Sequence, residues 1–240
     1  MDGGNDGLNT VIPLDQMSNL SKARPRVILP ENKIVSLNTN DLGLHPSLSG
    51  FNSFFSEDRL KIIQNVGYPT PDFSHFRSMD IWQSASDSDE YLNSGWMARY
   101  IENKHPAYPE AYPSDAYPHP LAVELGWQSS LLFTGQKSLT SFQARNPTNF
   151  LEIINEFDNE YPSDNKGNKL KFVQQIAKQS NVYSKIIKDK YENGKNTVSY
   201  GNSNLERQLE IVSQLISGGL KSRIYFVEFG GFDTHDTQVD

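Results

Sequence analysis

The chain has 240 residues, with 22 Lys and Arg against 29 Asp and Glu, and it contains no Cys. That length can bury one substantial core, while a net charge of -7 lacks the concentrated Lys and Arg that a phosphate backbone requires, which sets nucleic acid aside as a partner. The missing Cys removes disulfides, thiolate metal sites and a cysteine nucleophile, and no apolar run approaches the roughly 20 residues of a membrane span.

In chain order, Asp2 to Asn9 is crowded with Gly and oxygen donors and reads as a loop. Pro46 to Phe55 places Leu48, Phe51, Phe54 and Phe55 at helical spacing, with Pro46 suited to a first turn. Leu60 to Val66 reads as a short apolar strand closed by the turn signal Gly67-Tyr68-Pro69. Gly95 to Glu102 reads as a helix, and Leu121 to Leu125 and Ser130 to Phe133 as two short strands. Between His105 and Pro120, Tyr-Pro pairs recur at 108, 112 and 117; the prolines forbid a regular helix, so the segment is expected to be an extended excursion whose tyrosines pack on the domain.

The last third is more regular. Val173, Ile176, Ala177, Tyr183, Ile186 and Ile187 form one stripe of a helix from Lys169 to Tyr191. Ser203 to Glu206 matches a capping box, ahead of a second amphipathic helix stopped by Gly218-Gly219. The apolar strand Ile224 to Phe229 follows. Helix, glycine stop, strand and polar loop form an αβ unit, so the expected class is α/β: a single domain with a mostly parallel sheet flanked by helices.

Two loops carry groups suited to chemistry. After the turn at Gly67, Ser74, His75 and Arg77 put a hydroxyl, an imidazole and a guanidinium within four residues; Ser74 would equally serve as a helix cap, with His75 packed in a polar core. After the last strand, Asp233 and His235 fall two residues apart, which on an extended chain directs both to one side. Ligands of open α/β sheets bind beyond the carboxyl ends of strands. A zinc site takes three or four protein ligands, so this pair needs donors from elsewhere.

Several longer phrases extend these loops: GGNDGLNTVIP from Gly3, LHPSL from Leu44, VGYPTPDFSHFRSMDIWQSA from Val66, GWMARYIE from Gly95 and GGFDTH from Gly230. In that order they resemble the DUF1501 family, whose members are similar to the alkaline phosphatase and sulfatase superfamily. The resemblance implies an alkaline phosphatase-like α/β sandwich with divalent metals (Zn, Mn, Mg or Ca) at the carboxyl edge of the sheet. Asp2 or Asp6 would supply an early ligand, Asp233 and His235 later ones, and Ser74, less readily Ser78, the nucleophile. His75 or Arg77 would contact the ester oxygens. A nucleophile made by oxidising Cys to formylglycine is excluded.

The implied activity is hydrolysis of a phosphate or sulfate ester of a small molecule or glycan, in a periplasmic or extracellular protein. The alternative is a non-catalytic exported protein that binds glycans or a surface partner. The family's twin-arginine signal and its later FGRT and DHG segments are not in this sequence. It therefore resembles an interior fragment, an incomplete domain expected to bind metals weakly and to turn over little.

Overall fold

The computed structural model describes residues 4–148 and 161–234. The chain divides into two compact units, one holding residues 1–68 and 230–240, the other residues 69–229. In the first, the short helices α1 (Gly7–Thr10), α2 (Met17–Ala23) and α3 (Phe51–Ser56) accompany β1 (Val11–Pro13), β2 (Val35–Ser36) and β3 (Leu42–Leu44). The three strands pair antiparallel in the order β1-β3-β2, and Ile12, Leu37 and Leu44 are buried. The last part of the loop expected over Asp2 to Asn9 is instead the start of α1, which the Asp6 side chain caps by accepting from the Asn9 N–H, while residues 4–6 are irregular.

Pro46 does open a helical turn, over Pro46–Leu48, just before α3. No strand forms over 60–66. Asn65 has φ 57, which breaks an extended run, and Ile63 and Val66 stand in solvent. An apolar heptapeptide becomes a strand only when a neighbour takes its backbone N–H and C=O groups.

The second unit is built on β4 (Ala122–Glu124), β5 (Ser141–Gln143) and β6 (Ile224–Phe226). These pair parallel in the order β5-β4-β6. It also holds α4 (His75–Ser84), α5 (Trp96–Lys104), α6 (Asn165–Asn193) and α7 (Asn204–Ser217). The expected strand over 130–133 is instead a tight turn of 3-10 helix, Leu131–Phe133, which buries Leu132 and Phe133.

Side chains of a strand alternate between its faces, and this alternation divides the unit into two cores. Val123, Leu125, Phe142, Ala144, Tyr225 and Val227 pack against Tyr183 and Ile187 of α6 and Leu215 of α7. Ala122, Ile224 and Phe226 meet Ile101 of α5, Tyr108, Leu132 and Phe133. Helical elements therefore cover both faces of a small parallel sheet, and the unit is of mixed α/β class. The Tyr-Pro segment packs inward, as its composition suggests. Tyr108 is buried and donates to the Leu139 carbonyl at 2.8 Å, and Tyr112 and Tyr117 gather around His105.

The carboxyl ends of α6 and α7 lock together. Gly194 ends α6 and Gly218 ends α7. A Cβ on Gly218 would sit 1.8 Å from the Lys190 carbonyl oxygen, and one on Gly194 would sit 1.9 Å from that of Gln214. Gln214 Nε2 also donates to the Tyr191 carbonyl at 2.9 Å. At the other end of α7, Ser203 and Glu206 form the expected capping box. Backbone cannot swing aside as a side chain does, so Gly218→Ala is expected to lower stability by about 1–3 kcal/mol, measured by urea unfolding. A conservative change at an exposed site of the same helix, Leu209→Ala, is the control.

Candidate functional site

The sequence-selected residues fall into separate settings. Ser74 caps α4, its Oγ accepting from the Arg77 N–H at 3.4 Å, and its own N–H donates to Asp72 Oδ1 at 2.6 Å. Ser74 is exposed. His75 is exposed too, where a polar core was the alternative expectation. Arg77 is buried, and its guanidinium donates to the carbonyls of Asp87 and Ser88 at 3.2 and 3.1 Å and to that of Glu90. It also lies over the Tyr91 ring, 3.9 Å from the centroid. In this setting the guanidinium holds the 87–91 loop to α4.

Asp6 is held as firmly. Arg24 grips both carboxylate oxygens, at 2.7 and 2.6 Å, and Asn9 donates from its N–H at 3.2 Å and its Nδ2 at 2.8 Å. Partial burial opposes ionisation, but the hydrogen bonds and charge of Arg24 outweigh it and keep the carboxyl below its usual range. Asp233 is exposed, two residues beyond Gly231 with φ 91, and the last strand stops at Phe226, short of the expected Phe229. Asp2 and His235 lie outside the described residues. Among the described residues no group of three or more His, Asp or Glu side chains could hold a metal ion. The described side chains therefore do not by themselves fit the expected divalent ion.

The carboxyl edge of the parallel sheet of the second unit gathers polar groups that the sequence reading passed over. Glu124, on the central strand β4, has no exposed surface; its Oε2 accepts from the Ser130 N–H at 2.9 Å and its Oε1 from the Ser141 hydroxyl. Burial raises its pKa, the two donors oppose the shift, and the nearby Glu228 charge adds to it. Glu228 follows β6 on the same face. The β4–β6 register, carried on by two residues, sets it opposite Gly126, where a Cβ would come 2.4 Å from its carboxyl carbon. A larger residue there would make the Glu228 carboxylate move aside. Gln208 of α7 secures this extension by donating to the Glu228 carbonyl and accepting from its N–H, both at 2.8 Å.

Beside these acids, Trp127 follows β4 and Arg145 follows β5. The Arg145 guanidinium carbon sits over the indole, 3.1 Å from the ring centroid, and Trp127 is 75% exposed. The Trp127 N–H points to Glu228 Oε2 at 3.4 Å. Each of the three parallel strands thus sends a polar side chain to the edge where ligands of α/β sheets bind. The tetrapeptides Glu124–Trp127 and Phe142–Arg145 carry no motif. The only available signal was a charged residue directly ending an apolar strand, and that needs the strand order to be read.

Arg24→Met is expected to cost about 1–3 kcal/mol near neutral pH, because it leaves the half-buried Asp6 without its charged partner. A depressed carboxyl stabilises above its ordinary pKa, so the difference from wild type should shrink as pH falls through the lowered Asp6 value. For Glu124 the sign reverses. The folded state holds the proton more tightly, so wild type should lose stability relative to Glu124→Gln as pH rises from the usual carboxylate range through the raised value. Urea unfolding at stepped pH measures both. No family model, curated protein or solved structure matches this chain.

Proposed function

We propose that the protein is a metal-dependent hydrolase of phosphate or sulfate esters, with Ser74 as nucleophile. The observation that supports this reading is the exposed position of Ser74 at the N-cap of the ten-residue α4, where the positive end of the helix favours negative charge. Ser74 Oγ attacks the phosphorus or sulfur; the new O–P or O–S bond forms as the bond to the alcohol breaks, and water then cleaves the seryl ester. His75, exposed in the same turn, is the neighbour placed to meet the ester oxygens. Arg77, occupied by three carbonyls, positions the loop behind them.

A bound divalent ion would lower the charge on the transferred group, and Asp233, His235 and Asp2 are the residues proposed to hold it. Asp6 would have to leave Arg24 to join them. The resemblance of the Val66–Ala85 and Gly230–His235 phrases to a hydrolase-like family supports the same assignment.

One set of observations favours the second reading, a non-catalytic binding protein. Asp6 and Arg77, both expected at the reacting centre, are instead engaged in internal pairs. Turnover of aryl phosphate and aryl sulfate, with metal content measured by mass spectrometry, separates the two. The hydrolase reading expects turnover that chelation abolishes and that Ser74→Ala reduces at least a hundredfold with metal content unchanged. Turnover retained in Ser74→Ala removes that serine, and metal-free protein silent on both esters favours the binding role.

A further inference from the structure

We infer that Arg145 and Trp127 form a recognition site for the tetrahedral oxyanion of a phosphate or sulfate monoester, at the carboxyl edge of the β5-β4-β6 sheet. Three observations carry this. The first is position: both residues directly follow parallel strands, β4 leading to Trp127 and β5 to Arg145, on neighbouring strands of one sheet. That edge is where backbone direction leaves polar groups converging on solvent.

The second is the form of the pair. Stacking on the indole face holds the guanidinium through its π surface. With the guanidinium carbon 3.1 Å from the centroid no N–H fits between the group and the ring, so the donors of its planar fork are left for two oxygens of a phosphate or sulfate. An arginine that waves freely loses rotamer entropy when it binds an anion, whereas one already laid on an indole has lost part of it beforehand.

The third is the lack of a competing partner. Among the described residues no carboxylate pairs with Arg145 and no hydrogen bond takes up its N–H groups. Arg24 and Arg77 in the same chain already have internal partners, Asp6 and backbone carbonyls respectively. The acids at this edge are otherwise committed. Glu124 is buried under Ser130 and Ser141, and Glu228 faces the Trp127 N–H across Gly126.

The exposed indole edge gives the organic part of an ester an apolar surface beside the anion. An ester is therefore preferred over the free anion. This inference does not depend on hydrolysis, since the site recognises the ester whether or not Ser74 cleaves it.

Calorimetric titration of the 240-residue protein with phenyl phosphate, phenyl sulfate and inorganic phosphate tests it. The Ser74→Ala form is used so that turnover does not interfere, and failure of the hydrolase reading leaves the experiment intact. Saturable binding of both esters is expected, weakened at least tenfold by Arg145→Gln and partly restored by Arg145→Lys. Trp127→Ala is expected to bring ester affinity down to that of inorganic phosphate, and Trp127→Phe to keep most of the preference. Equal affinity for ester and inorganic phosphate in the parent form would keep the oxyanion site and assign it to the free anion. Unchanged ester affinity in Arg145→Gln, or no saturable binding at millimolar concentration, overturns the inference. Arg145 is on the surface, so unfolding of the glutamine variant is not expected; matching thermal melts of the variants verify it.

Discussion

The second unit depends on β4 pairing in parallel with both of its neighbours. Parallel pairing sets Ala122 beside Ser141 and Ile224, and Glu124 beside Gln143 and Phe226. Residues at matched positions then share a face. One register thus sorts the side chains of three strands into two cores and brings all three carboxyl ends to a common edge. A slip by one residue would turn Val123 and Phe142 out of the α6–α7 core and push the Glu124 carboxyl into it. The reciprocal glycine contacts of α6 and α7 and the Gln208 clamp on Glu228 keep that register from drifting.

The fate of each charge follows from what the fold places beside it. Asp6 and Arg24, eighteen positions apart, make a two-pronged pair that joins the cap of α1 to the end of α2. Arg77 turns inward and replaces the hydrogen bonds that the 87–90 carbonyls would make with water. Among the described residues Arg145 is held by an indole and by no carboxylate. Three arginines of one chain therefore do three different jobs. Glu124 shows the converse, a carboxyl so enclosed that two donors do not fully offset the loss of water.

The proposed hydrolase and the inferred oxyanion site require different things of the molecule. Ser74 chemistry needs the exposed helix start and an ion whose proposed ligands include residues outside the described part. Recognition by Arg145 and Trp127 needs only the ends of β4 and β5, which lie within 122–145. A protein that failed to turn over esters but still held them through Arg145 would be a binding protein, since site chemistry and fold vary independently.

Helices α6 and α7, the stop at Gly218, the capping box at Ser203, the central strand β4 and the inward packing of the Tyr-Pro segment were legible in the sequence. Each is specified by local means: period, cap, breaker or alternation, which act within a few residues. The strand expected over 60–66 and the one over 130–133 were not, because short apolar runs become strands only when a partner edge receives their backbone, and that partner is remote in sequence. The same distinction holds at the sites. The sequence by itself offered Ser74 as a helix cap beside its reading as a nucleophile, and set Asp233 after the last strand. Tertiary structure alone decided that Arg24 would claim Asp6, that Arg77 would be spent on carbonyls, and that Glu124, Trp127, Arg145 and Glu228 would share one edge. Those outcomes rest on charges, carbonyls and rings meeting across 10 to 104 residues of chain, and such contacts are set by packing, which no local pattern encodes.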